Sequence, residues 1–178
     1  HVFERCSGFY TMLYAGATIA YAESFERLPY NLREVRPTVI LAVPRLYEKV
    51  LARARETAAG AGRFTRTIFG WAYRVAVECG WLLDARKPIP PLLALQRAAA
   101  SALVYKKIAH GMGGRTRLRA SGGAPLNRDV GLFYLGAGLP IHEGYGLTET
   151  SSAICVNTFE KYRVGTVGPI FPGVDVRI

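Results

Sequence analysis

The stretch Thr38-Val39-Ile40-Leu41-Ala42-Val43 runs without any polar alternation and stops at Pro44. A strand with one wet face alternates, whereas a strand without alternation is covered on both faces, as in parallel sheets packed by helices. Just past it, Tyr47, Val50, Leu51 and Ala54 fall at i, i+3, i+4 and i+7, the spacing of one helical face. Strand, tight turn and helix in that order make a βα unit. This unit sets the expected class: α/β, with a mixed, largely parallel sheet covered by helices.

The remaining segments fit around it. Residues 2–17 carry Phe3, Phe9, Met12, Leu13 and Ala17 at helical spacings, and Thr18-Ile19-Ala20-Tyr21 favours extension. Asn31 to Val35 reads as a small helix stopped by Pro37. Residues 63–80 and 91–111 read as two alanine-rich basic helices, separated by the stiff Lys87-Pro88-Ile89-Pro90-Pro91. With no strand between them, they look like an insertion at about 60–113. The alternation of Thr116 to Ala120 predicts a strand with one wetter face. Residues 128–138 predict a helix with Asn127 as N-cap and Gly138 as C-cap. Short strands are expected at 139–142 and 174–178.

Charge is uneven. Residues 45–119 hold fifteen Lys/Arg against four Asp/Glu, a balance of +11, while the whole chain carries +10. Such a middle attracts phosphate-rich ligands, an anionic membrane surface or nucleic acid, or else forms a solvated helical face with acidic partners elsewhere. The basic stretch carries no nucleic-acid motif, which argues against nucleic acid. Cys6, Cys79 and Cys155 are odd in number, far apart and without Cys-x-x-Cys spacing. That argues against a disulfide framework and against a zinc cluster and suits a reducing cytosol. No apolar run reaches the roughly 18 residues of a spanning helix.

Two motifs carry chemistry. In Ser121-Gly122-Gly123-Ala124-Pro125-Leu126, paired glycines let a backbone approach a flat ligand, although a plain strand-to-helix turn would use them too. In Glu143-Gly144-Tyr145-Gly146-Leu147-Thr148-Glu149-Thr150-Ser151, glycines on either side leave the Tyr145 ring open for stacking. A threonine hydroxyl follows that can meet a phosphate oxygen, then a carboxylate that can hold Mg²⁺.

Tyr145 to Thr150 resembles the signature of the adenylate-forming superfamily of acyl-CoA synthetases, luciferases and peptide-synthetase adenylation domains. The glycine pair at 122–123 is similar to the one that precedes it there. His1-Val2-Phe3-Glu4-Arg5 and Val43-Pro44-Arg45-Leu46-Tyr47-Glu48-Lys49-Val50 resemble the long-chain fatty acyl-CoA synthetase branch, as does the basic insertion. The resemblance implies the large N-terminal domain of such an enzyme, and a two-step reaction. A fatty carboxylate attacks the α-phosphate of ATP, releasing pyrophosphate, and the thiol of coenzyme A then displaces AMP.

By the same resemblance, Tyr145 stacks on adenine and Glu143 lies beside its amino edge. Gly122, Gly123, Ala124, Gly144 and Gly146 line the nucleotide and acyl site. Thr148 meets the α-phosphate, Glu149 holds the magnesium and His1 lies near the reacting carboxylate. The family also has a Ser/Thr/Gly-rich phosphate loop, a ribose-binding aspartate and a C-terminal domain with an adenylation lysine, none of which occurs in these residues. The expectation is an internal segment, inactive alone and prone to self-association, from a cytoplasmic and peripherally membrane-associated ligase. A non-catalytic basic module, or a different adenylating ligase, is the alternative.

Overall fold

The structure, a computed structural model, describes residues 2–177; the readings on His1 and Ile178 lie outside the described residues. Four strands form one sheet in the order β1 (Val39–Ala42), β2 (Leu118–Ser121), β3 (His142–Leu147) and β4 (Ser152–Val156). The first three run parallel, with Leu41 beside Ala120 and Ala120 beside His142. The fourth returns antiparallel to β3, with Tyr145 opposite Cys155 and an irregularity between Tyr145 and Gly146. The mixed, largely parallel sheet is therefore as the βα unit requires.

A π-helical turn Glu4–Tyr10 runs into α1 (Thr11–Tyr14) and lies against β1 and β4. Next come α2 (Leu28–Val35), α3 (Pro44–Gly60), α4 (Arg63–Asp84), α5 (Pro91–Ala100), a π-helical stretch Ser101–Tyr105, α6 (Lys106–Gly111) and α7 (Arg128–Gly136). α2 ends because Arg36, barred from the α region by Pro37, turns left-handed at φ 51°. α7 starts where Asn127 accepts the Asp129 and Val130 amides. It ends where Gly138 takes φ +79° and the Leu139 amide reaches back to the Tyr134 carbonyl.

The core lies where α3, α4 and α7 meet. Tyr47, Ala72, Ala76, Cys79, Leu132, Phe133 and Tyr134 are wholly buried. The Phe133 ring stacks on Tyr73 and meets Tyr105 edge-on. One polar anchor ties the helices to the sheet, the Tyr47 hydroxyl donating to the Ala120 carbonyl at 3.0 Å, and a second ties α7 to α3, the Tyr134 hydroxyl donating to the Tyr47 carbonyl at 3.0 Å. α4 and α7 cross backbone to backbone. A Cβ at Gly80 would run into the Leu132 carbonyl, and one at Gly136 into the Ala76 carbonyl.

Several local expectations change, and the short strand expected at 139–142 instead begins at His142. Residues 18–21 are not a strand, because no strand lies beside them and their β preference finds no partner. Residues 174–177 are not one either: residues 169–171 take the edge beside β4, through the Cys155–Ile170 bridge and the Phe171 amide to Ile154. β4 itself had no reading in the sequence. β1 is an edge strand with only Ile40 buried, so its unbroken hydrophobicity exceeds the cover that the described residues give it. In β2 the polar face is the inner one: Arg119 and Ser121 are buried while Leu118 and Ala120 are half-buried.

Candidate functional site

Parallel strands send their carboxyl ends to the same side, and ligands of open α/β sheets bind at that side. Here β1 ends in Val43, β2 in the turn at 122–126, and β3 in the hairpin that carries Tyr145 to Thr150. The three ends converge. The Gly122 amide donates to the Ala42 carbonyl at 3.2 Å. The Leu126 amide donates to Glu143 Oε2 at 3.0 Å. From below, the first helical segment reaches the same end: the Cys6 thiol donates to the Ser151 carbonyl at 3.2 Å.

Each glycine there has a geometric reason. A Cβ on Gly122 would press on the Phe3 ring at 3.0 Å. Gly123 adopts φ +83°, a conformation that side chains disfavour, and remains exposed together with Ala124. A Cβ on Gly146 would strike the Ser152 carbonyl, so β3 and β4 close around a bare backbone beside Tyr145. Tyr145 is 45% exposed.

The hairpin tip is stapled by its own hydroxyl. Thr150 Oγ1 accepts the Leu147 amide at 2.9 Å and lies 2.9 Å from the Ser152 carbonyl. Ser151 and Ser152 hold φ values of 58° and 130°, rare for residues with a Cβ. This staple leaves Thr148 and Glu149 exposed at the tip, with no side-chain hydrogen bond or ion pair to another described residue. Thr150 is thus a turn-builder, while Thr148 and Glu149 are open to a ligand.

Glu143 behaves differently. Its side chain turns inward and is buried, with Oε2 on the Leu126 amide and Oε1 accepting the Gly165 amide at 3.3 Å. Burial pushes its carboxyl above the ordinary range, against the lowering pull of those two amides. Both oxygens are committed to backbone, so this carboxylate shapes the site. Gly144 is half-buried against Val156. His1 lies outside the described residues.

Two buried polar residues escaped the sequence reading. His142 Nδ1 lies 3.0 Å from the Asn157 carbonyl and therefore carries the proton, while Nε2 is buried without a partner among the described residues. Phe159 and Tyr162 meet its ring edge-on, and burial lowers its pKa below the ordinary value. Arg119 is 5% exposed; its Nη2 donates to the Thr116 carbonyl at 3.0 Å, and burial lowers its pKa. Both sit in short alternating strands, where no spacing rule marks a polar residue as internal.

The sign of the His142 shift gives a testable result. An imidazole held below its unfolded value of about 6.5 costs stability when it must charge, so the protein loses stability as pH falls through and below that value. His142→Asn should flatten thermal unfolding midpoints between about pH 7 and pH 5 relative to the parent. An unchanged slope would place the titration elsewhere.

Among the described residues no group of three His, Cys, Asp or Glu could cage a metal ion. All three cysteines are free thiols, and no described helix is long and apolar enough to cross a membrane.

The family model described as AMP-binding enzyme matches residues 1–178. The long-chain-fatty-acid–CoA ligase FadD15 of Mycobacterium tuberculosis is 38% identical over 178 residues, all of this chain and 29% of that protein. Human long-chain-fatty-acid–CoA ligase ACSBG1 is 30% identical over 182 residues, all of this chain and 25% of its own length. The crystal structure of apo MatB from Rhodopseudomonas palustris superposes with a TM-score of 0.53 at 22% identity, covering 92% of this chain and 22% of that one. The chain thus spans under a third of the curated relatives it matches. From the full-length family match and the shared fold, the chain belongs to the AMP-binding enzyme family.

Proposed function

We propose that these residues form part of the nucleotide and acyl site of an AMP-forming fatty acid–CoA ligase, with a long-chain fatty acid, ATP and coenzyme A as substrates. The observation that carries the reading is the convergence, at one end of the parallel strands, of the 122–124 glycine turn with an open Tyr145 ring and an open Thr148–Glu149 tip. An aromatic face, bare backbone, a hydroxyl and a carboxylate suit adenine and a phosphate chain. The relatives named as long-chain-fatty-acid–CoA ligases supply the substrate class.

In this reading the fatty carboxylate attacks the α-phosphorus of ATP, the bond to pyrophosphate breaks, and an acyl-adenylate results. The coenzyme A thiol then attacks the acyl carbon and AMP leaves. Tyr145 holds the adenine by stacking, and the turn at 122–124 bounds the nucleotide with backbone alone. Thr148 donates to an α-phosphate oxygen. Glu149 would hold Mg²⁺, whose charge offsets that of the phosphates as it accumulates. Because the protein does little covalent work here, the demand on these residues is position. Glu143 meets it indirectly, by fixing the Leu126 and Gly165 amides. The helices between about 60 and 113 form a basic insertion that brings the enzyme to an anionic membrane surface.

Tyr145→Ala in the full-length protein tests the adenine assignment. Loss of one aromatic stack, about 0.5–1.5 kcal/mol, should raise the KM for ATP roughly two- to twelvefold. Tyr145→Phe should keep it. Equal KM values in all three proteins would remove Tyr145 from the nucleotide site.

A further inference from the structure

The helical run from Pro91 to Gly111 is apolar on both sides. Leu93, Ala100, Val104 and Ile108 point into the core, as helix packing requires. The opposite face should be polar on a helix that ends at water. Instead it presents Leu92 and Leu95, each 69% exposed, then alanines, then Leu103 at 47%. Its first cation after Lys87 is Lys106, because Arg97 turns inward and donates to the Gly136 carbonyl at 2.6 Å. Lys87 precedes the stripe, Lys106 and Lys107 follow it, and all three are exposed. From Ala85 to Arg128 the sequence contains no Asp or Glu.

An exposed apolar stripe between Lys87 and the Lys106–Lys107 pair, with no acid in the intervening sequence, matches one environment in both its parts. Leucines favour the boundary of the acyl chains, and lysines favour anionic headgroups on either side. A protein groove would be expected to answer the lysines with carboxylates, and a second copy of this face would bring like charges together. We propose that the outward face of this helix, carried by Leu92, Leu95 and Leu103 and bracketed by Lys87, Lys106 and Lys107, lies flat on an anionic lipid surface. The helix would lie in the headgroup plane and would not cross the bilayer. The proposal rests on the membrane-contact part of the function above and names its surface; it is independent of the adenylation chemistry.

The test uses the full-length protein and three readouts: co-flotation with phosphatidylserine-rich or pure phosphatidylcholine vesicles, thermal unfolding, and mass by light scattering. The parent should partition onto anionic vesicles and far less onto neutral ones, and added salt should weaken that binding. Leu92→Ser with Leu95→Ser should reduce anionic partitioning about tenfold or more, and Lys106→Gln with Lys107→Gln about tenfold. Both double variants should keep the parent's melting temperature and mass. A melting temperature lowered by the leucine variant, with partitioning unchanged, would mean that other parts of the polypeptide cover the stripe. A dimer that falls to monomer with partitioning unchanged would mean a second copy covers it. Equal binding to neutral and anionic vesicles overturns the proposal as well. Pyrophosphate release without vesicles reads the ligase chemistry separately, so the two ideas fail independently.

Discussion

Glu149→Gln in the full-length protein should lower the rate of pyrophosphate release on the order of a hundredfold. The amide keeps the carboxylate's shape and loses its charge, so the exposed tip of the β3–β4 hairpin no longer offers an anionic ligand to Mg²⁺. Removing one preorganised group that faces developing charge commonly costs 10²–10³-fold. Thr148→Ala removes one hydrogen bond to a charged phosphate, worth about 1.5–3 kcal/mol, or roughly ten- to a hundredfold. Neither side chain bonds to other described residues, so neither substitution should move the melting temperature. The thioester step, started from supplied acyl-adenylate, should suffer less than the first step. Full pyrophosphate release in both variants would reduce the hairpin to a structural turn and send the nucleotide elsewhere.

The largest effect on stability should come from a glycine far from that tip. At Gly136 even a methyl group would overlap the Ala76 carbonyl, a backbone atom that cannot rotate away. Gly136→Ala must push α7 from α4, opening the layer around Phe133 and Tyr134. Overpacking of this kind costs about 3 kcal/mol, or roughly 6–12 °C in melting temperature for a domain of this size. Gly70, in the facing helix α4, supplies the control, because a Cβ there meets nothing within 4 Å. Gly70→Ala should stabilise by about 0.5–1 kcal/mol through helix propensity. Equal melting temperatures for the two variants would mean that the helices do not approach as closely as described.

The sequence revealed those parts of the fold that rest on periodicity or on backbone chemistry. α3 follows from Tyr47, Val50, Leu51 and Ala54, and α7 from Asn127 and Gly138, because caps and apolar faces are local properties. The site motifs were legible for the same reason: glycines beside an open tyrosine and a hydroxyl–carboxylate pair are written in consecutive residues. What stayed hidden depends on neighbours distant in sequence. Residues 18–21 have strand chemistry without a partner, and 152–156 have a partner that their composition does not announce. The inward turns of Arg119 and Glu143 are set by which face α3 and α7 cover, which no alternation pattern reveals.

The Glu143 carboxylate has a consequence for motion. One oxygen holds the amide that follows the glycine turn, and the other holds an amide in the loop at 165, while the residue itself lies in the Tyr145 strand. Neither loop can lift away without leaving a buried acid short of a donor, a loss of about 1–3 kcal/mol or more. Local opening that would otherwise proceed loop by loop is thereby made collective. Fluctuations that expose the Leu126 amide should raise the chance of exposing the Gly165 amide, and the two are expected to exchange with solvent as one cooperative unit. The turn at 122–124 therefore inherits its stillness from a loop some forty residues further along the chain.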